Sequence, residues 1–341
     1  MTSFPPQSIL GIDIAKAKLD THFLRVGSPD KPVHRRYDNT PAGQEQLVSW
    51  LASQQVGQMH VCLEATGTYG RAVALRLHQA GYRVSIVNPL RIKRYGQSEL
   101  LRVKTDKSDA ALIARFCLTQ QPDPWTPPAT EQQQLQDLVR ALADLQRLQQ
   151  QQRCRQHSGP QEQAVATVTS TVLTCIQTQM ESLRSQIEAH ILAHESLRTA
   201  YELLLSICGI GKRTAVVLLG ELGDLSRFPN VRDLVAYVGL APQLHCSGSS
   251  VHGPSPLSKH GHAAIRHALY FPAMSAARHN PAIRTLYQRL RAAGKPKMVA
   301  LVAAMRKLVH QIYGVLRSGQ VFDPAHVSAR PVKQVAEETR Q

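Results

Sequence analysis

Leu10, Ile12 and Ile14 alternate with Gly11, Asp13 and Ala15. That is the two-residue period of a strand with one apolar face. The same period predicts strands at 8–15, 18–26, 32–38, 59–64 and 82–87, the first three close enough in sequence to form an antiparallel meander. Apolar positions spaced three and four apart predict helices over 42–54, 69–80 and 106–118. Three strands followed by strand-and-helix units make an α/β region, a mixed sheet with helices on its faces. Pro122, Pro124, Pro127 and Pro128 end it, because clustered prolines continue neither a helix nor a central strand.

The next segment is all helical. Leu135, Leu138, Leu142 and Leu145 step by three and four, and after a break at His157-Ser158-Gly159-Pro160 so do Val165, Val168, Val172, Ile176, Met180, Leu183, Ile187 and Ile191. The other faces are rich in Gln and Arg, as in solvated helices that pair through a narrow seam. This reads as a helical hairpin or central coiled coil used for self-association; packing on a neighbouring domain is its plainer use. From 195 to about 320 the chain is helical again, interrupted by a Gly, Pro and Ser-rich stretch at 239–261. The expected division is 1–125, 126–194, 195–325 and a tail at 326–341.

Charge changes the picture. The 341 residues carry 40 Lys and Arg against 24 Asp and Glu, a net charge of +16. The basic residues recur along the chain, at Arg91, Lys93, Arg94, Arg102, Lys104 and Lys107 and again from Arg266 to Arg317. Such spacing points to an extended nucleic-acid surface rather than a localisation tail. The 6 cysteines show no zinc spacing and read as reduced packing residues. Without a leader pattern or an apolar run near ~18 residues, the expectation is a cytoplasmic protein with no membrane partner.

Four acids stand out. Asp13 shares its face only with Gly11 and Ala15, so something can approach closely there: a metal, a phosphate, or a helix packed on the glycine. Glu64 closes the strand MHVCLE, at the strand end where open α/β sheets build sites. Asp106 and Asp109 in KTDKSDA are three apart at a helix start, with Cβ atoms about 5–6 Å apart. Each has a plain use, Asp106 as a helix N-cap and Glu64 as an ion-pair partner of a lysine. Together they would repel unless a cation lay between them. An all-oxygen set suits Mg²⁺ or Mn²⁺.

In LLLSICGIGKRTAVVLLGELG, Gly209 and Gly211 fall between two helical patterns and precede Lys212 and Arg213. That is the layout of a helix-hairpin-helix, where glycines admit a phosphate to a helix N-terminus; a tight turn in a bundle is the alternative. Lys104 and Lys259 are further candidates for nucleic-acid contact. In HCSGSSVHGPSPLSKHGH, Ser247, Ser249 and Ser250 read as solvated loop hydroxyls, with His245 and His252 as distant candidates for activation.

Taken in order, GIDIAKAKLD, CLEATGTYG, KTDKSDA, GIGKRTA and SGSSVHG to SKHGH resemble the DEDD transposases of the insertion-sequence 110 family, over about residues 8–325. The resemblance implies an N-terminal RNase H-like (RuvC-like) domain, a coiled coil and a C-terminal transposase domain containing a serine. It implies Asp13, Glu64, Asp106 and Asp109 as metal-binding acids and Ser247 as a nucleophile forming a phosphoserine link to DNA. It also implies a bridge RNA pairing with donor and target DNA, and a dimer to tetramer whose site is shared between protomers. Two rivals stand beside it: a RuvC-like junction nuclease using metal-activated water, indifferent to Ser247, and a non-catalytic nucleic-acid-binding protein.

Overall fold

Five strands whose apolar residues face both ways need helices on both sides, and the N-terminal unit supplies them. The computed structural model describes residues 8–55, 57–65, 67–99, 105–159, 162–242, 246–247, 251–252, 257 and 261–324, with backbone only at 246, 247, 251 and 252. The chain divides into two units, residues 1–127 and 128–341. In the first, β1 (Ser8–Ile14), β2 (Lys18–Arg25), β3 (Val33–Asp38), β4 (Met59–Glu64) and β5 (Arg83–Val87) form one sheet in the order β3-β2-β1-β4-β5. The first three strands are an antiparallel meander, and β1, β4 and β5 run parallel. This is the mixed sheet predicted, in the strand order that an RNase H-like domain requires.

Leu10, Ile12 and Ile14 of β1 pack with Leu47 and Leu51 of α1 (Pro41–Ser53) and Val73 and Leu77 of α2 (Arg71–Gln79). On the other face, Ile9, Cys62 and Val87 meet Ile92 of α3 (Pro89–Ser98) and Ile113 and Phe116 of α4 (Asp106–Gln120). Helix α3 was not anticipated. Pro89 reads as a breaker, yet at the first helical position its missing N–H costs nothing, and the Asn88 side chain caps the Leu90 N–H.

The second unit is helical. Helices α5 (Thr130–His157) and α6 (Gln163–Ala193) run antiparallel: His190 Nε2 donates to the Glu131 carbonyl at 2.8 Å and Gln149 to Gln177 at 2.8 Å. Their root residues Leu135, Val139, Ile187 and Ile191 belong to the same core as α7 (Glu195–Ser206), α8 (Lys212–Leu222), α9 (Val231–Val238), α10 (Ala263–Ala268), α11 (Tyr270–His279), α12 (Pro281–Ala292) and α13 (Lys297–Ser318). Further out Leu148, Val165, Val168 and Val172 are exposed. Among the described residues α13 is long and apolar enough to cross a membrane, a length the sequence reading missed; its face of Ala304, Leu308 and Ile312 is fully buried in this core. Between α9 and α10 the short strands β6 (Cys246–Ser247) and β7 (Val251–His252) pair antiparallel.

One buried charge fastens three parts of this unit. Glu221 of α8 is 5% exposed and accepts Arg140 Nε on Oε1 at 3.1 Å and Nη2 on Oε2 at 2.9 Å, while His262 Nε2 lies 3.3 Å from the same Oε2. Burial alone would push its pKa up, but the hydrogen bonds and charges of His262 and Arg140 outweigh that and hold it at about 2, below the ordinary 4.5. A depressed carboxyl pKa adds stability above the unfolded value that is lost as pH falls through the folded one. We therefore expect Glu221→Gln to cost on the order of 3 kcal/mol at neutral pH. Thermal unfolding of the two proteins should converge as pH drops from about 4.5 to 2; a gap that persists at the acid end would show that the loss is one of packing rather than charge.

Candidate metal centre

Strand pairing sets three carboxylates side by side. Asp13 is registered opposite Asp20 on β2, and the pairing of Ile12 with Leu63 brings the following residues, Asp13 and Glu64, alongside each other on β1 and β4. Neighbouring strands are about 4.8 Å apart, and paired residues share a face. The face is the one that α4 covers.

Glycine explains why α4 can come so near. A Cβ built on Gly11 would stand 2.4 Å from the Ala110 carbonyl oxygen and 2.4 Å from the Ala114 nitrogen, so the helix backbone lies directly on the strand. A helix on the glycine, one of the neighbours the sequence allowed, is present. The face is therefore closed over Gly11 and opens only at the strand end, where Asp13 is half-buried.

The first turn of α4 is fixed by a capping box. The Thr105 hydroxyl accepts the Ser108 N–H at 3.2 Å, and the Ser108 hydroxyl accepts the Thr105 N–H at 2.7 Å. Thr105 rather than Asp106 is thus the N-cap. Asp106 and Asp109 follow it in the first turn.

The electrostatics show the acids acting on one another. Burial raises the Asp13 pKa, the negative charges of Asp109, Asp106 and Asp20 raise it further, and a hydrogen bond from the Ile14 N–H opposes them. Asp106 is held below its ordinary value by a hydrogen bond and charge from Lys18, whose Nζ is 2.5 Å away. Asp20, which the sequence reading passed over, is 1% exposed and answered by Arg36 Nε at 3.0 Å, His34 Nε2 at 3.2 Å and Lys18 Nζ at 3.7 Å. Its signal was available: the two-residue turn Lys16-Ala17, closed by the Ala15 N–H to Lys18 carbonyl bond at 2.9 Å, puts residues 13 and 20 opposite each other.

The acids fit a divalent cation in donor type, since all are hard oxygen ligands, and in charge, since Asp13 is destabilised by its neighbours. Among the described residues no three such side chains close into a ligand cluster. The Lys18 ammonium, bonded to Asp106, already supplies positive charge at this edge.

The second set of expected residues divides. Gly209, at φ +107°, joins α7 to α8, but a Cβ there would meet Ala276 Cβ at 2.8 Å and the Pro272 carbonyl at 3.0 Å. Packing on α11 and the positive φ both call for glycine here. Gly211 is the N-cap of α8 with open space at its Cβ position, and Arg213 is exposed. Lys212 lies 3.6 Å from Glu188. Ser247 is described only as backbone of β6 opposite Val251. Lys104, Lys259, His245, Ser249 and Ser250 lie outside the described residues, as does the side chain of His252.

Because α4 rests on Gly11 through backbone atoms, Gly11→Ala should force helix and strand apart, at a cost of about 3 kcal/mol or more. Urea unfolding would read that loss, and the first turn of α4, with Asp106 and Asp109, should shift with the displaced helix. Unchanged stability would show that the close contact does not hold the site together.

Two family models match the chain: the DEDD transposase model of the IS110 group over residues 10–158, and the one described as "Transposase IS116/IS110/IS902 family" over residues 201–288. A pilin gene-inverting protein of Moraxella bovis is 33% identical over 321 residues, 93% of this chain and 98% of that protein. The transposase for insertion sequence element IS1111A of Coxiella burnetii is 25% identical over 80% of this chain and 78% of its own. Among solved structures, T. thermophilus RuvC in complex with a Holliday junction substrate aligns with 35% of this chain and 99% of its own at 13% identity and a TM-score of 0.27, too distant a likeness to bear on function. Family models over two stretches of the chain and a relative aligned almost end to end agree: this chain belongs to the IS110 family of DEDD transposases.

Proposed function

We propose that this transposase is an RNA-guided serine recombinase, in which Asp13, Glu64, Asp106 and Asp109 hold Mg²⁺ or Mn²⁺ and Ser247 is the nucleophile that cuts DNA. The observation that carries the reading is the meeting of Asp13 and Glu64 on adjacent strand ends, with the first turn of α4 held over the same face by Gly11. A bound divalent ion would neutralise the acids and polarise a phosphate oxygen.

The remaining chemistry falls to the chain. The Ser247 Oγ gives up its proton and forms a bond to phosphorus, and the bond from phosphorus to a deoxyribose oxygen breaks. That oxygen leaves and takes a proton. The phosphoserine ester conserves the bond energy, so attack by the hydroxyl of another strand end releases the serine and rejoins DNA without an external energy source. Lys18 has two roles at this edge. Its ammonium holds Asp106 when no other cation is near, and binding of the ion competes with it for that carboxylate.

A net charge of +16 favours polyanions as partners, here a bridge RNA with donor and target DNA in the bacterial cytoplasm. Lys104, Gly211, Lys212, Arg213 and Lys259 are our candidates for backbone contacts. The exposed Leu148, Val165, Val168 and Val172 on the outer part of α5 and α6 are suited to cover one another between copies in a dimer or tetramer. A second reading of the reaction's outcome comes from the near full-length relative named as a pilin gene-inverting protein. Inversion and insertion make and break the same kinds of bond, inversion between two oppositely oriented sites of one DNA molecule and insertion between sites on separate molecules.

The test is a denaturing gel of the full-length protein with RNA transcribed from the flanking region, donor and target DNA and Mg²⁺. A covalent protein and DNA adduct should form in the wild type and vanish in Ser247→Ala. Asp13→Ala should form none while still binding RNA. Metal-dependent cleavage with no adduct, indifferent to Ser247→Ala, would leave a hydrolytic junction nuclease and overturn the serine mechanism.

A further inference from the structure

A groove of about 420 Å³ runs between α1 and α2 at the end of β1, lined by Lys16, Asn39, Tyr69, Leu75 and Arg76 among others. Its volume falls in the range of small-ligand sites. The groove lies on the α1 and α2 side of the sheet and the acids on the α4 side, so the two meet around the strand ends. Lys16 follows Asp13 by three residues and Tyr69 follows Glu64 by five. Three residues reach at most about 10 Å and five at most about 18 Å.

Tyr69 is set here as a platform. Asn39 donates both amide hydrogens, to the Ala15 carbonyl at 3.0 Å and to the Tyr69 carbonyl at 3.1 Å, and accepts from Gln44 Nε2 at 2.9 Å. One side chain thus ties the end of β1 and the turn after β4 to α1. The next residue, Gly70, leaves room for Ile14, whose Cδ1 would be 2.7 Å from any Cβ added there. The backbone under Tyr69 is held from both sides while the residue itself is 49% exposed. An aromatic ring kept in water on a fixed backbone is a cost that a stacking partner would recover. Around it are Lys16, which is exposed, and Arg76, which is paired with Glu45 of α1 and has guanidinium N–H groups to spare.

We infer that this groove is a subsite for a nucleotide of the DNA strand being cut, its base stacked on Tyr69 and its flanking phosphates taken by Lys16 and Arg76. Cations beside an exposed aromatic are what a single strand needs from a protein, charge for its backbone and a flat face for a base of any sequence. The inference rests on the proposal that the acids act on DNA, because it is the cleaved strand that must pass the ends of β1 and β4. A base pulled into the groove would hold the adjoining phosphate at the strand ends on the other side.

The experiment is photocrosslinking of the full-length protein, in EDTA, to single-stranded DNA carrying 5-iodouracil in place of thymine, with the adduct mapped by mass spectrometry. We expect a crosslink on Tyr69 that persists in Tyr69→Phe. Affinity for the same DNA should fall about 5- to 150-fold in Tyr69→Ala, and Lys16→Ala with Arg76→Ala should flatten its salt dependence. Crosslinks confined to other residues, or a Tyr69→Phe protein as weak as Tyr69→Ala, would overturn the stacking. An RNA of the same sequence crosslinking at Tyr69 where the DNA does not would overturn the choice of strand. Asp13→Ala separates this from the reading beneath it: cleavage that survives in that variant refutes the metal site and leaves the crosslink standing, whereas a lost crosslink with cleavage still dependent on Asp13 refutes the groove alone.

Discussion

The contact on which the catalytic unit depends is the one between the backbone of α4 and the surface of β1 at Gly11. Helices ordinarily ride on a sheet at a distance set by side chains on both elements. Here one of them has none, and the carbonyl of Ala110 and the nitrogen of Ala114 occupy the space a Cβ would fill. That approach brings the first turn of α4 to the level of Asp13 two residues further along the strand. It also explains why Asp13 feels both Asp109 and Asp106 although more than ninety residues separate them in sequence. A methyl group at position 11 is enough to break the arrangement.

Bringing acids together has an electrostatic cost, and the fold limits it with nearby cations. Asp20 sits in the same row as Asp13 but is surrounded by Arg36, His34 and Lys18, so it acts as the anchor of an ion-pair cluster across β2 and β3. Lys18 then reaches from Asp20 to Asp106 and joins the sheet to the helix. Asp13 is buried beside Asp109, Asp106 and Asp20, and burial and their repulsion raise its pKa. The row is thus graded, from Asp20 among basic side chains at one edge to Asp13 among acids at the centre.

Most of the first unit was legible because alternation is strict wherever a strand is buried on one face. All five strands and three of the four helices lie within two residues of where the periodicity put them. Helix α3 was missed because Pro89 and Asn88 announce a turn as readily as a helix start. The acids on β1, β4 and α4 could be found from spacing, whereas Asp20 needed the hairpin register, which a Lys-Ala turn does not advertise. Glycine was the least readable residue. Gly11 and Gly209 each left either a ligand or close packing open in the sequence, and the structure sets a helix against both, α4 in one case and α11 in the other. Whether a glycine faces a phosphate or another backbone depends on contacts distant in sequence, which local pattern does not contain.

The segment holding Ser247 is fastened at its base. Gly239 and Gly261, at its two ends, are in backbone contact: a Cβ on Gly261 would stand 2.4 Å from the Gly239 nitrogen. The His262 N–H donates to the Tyr237 carbonyl at 2.7 Å, and Pro242 bridges to Leu257 further in. His262 in turn is held by Glu221, which Arg140 of α5 binds through both carboxylate oxygens. The long helical pair and the root of the serine segment therefore share one buried carboxylate. Glu221 thus couples α5 to His262 at the root of that segment, so a change in either one is felt by the other through a single side chain.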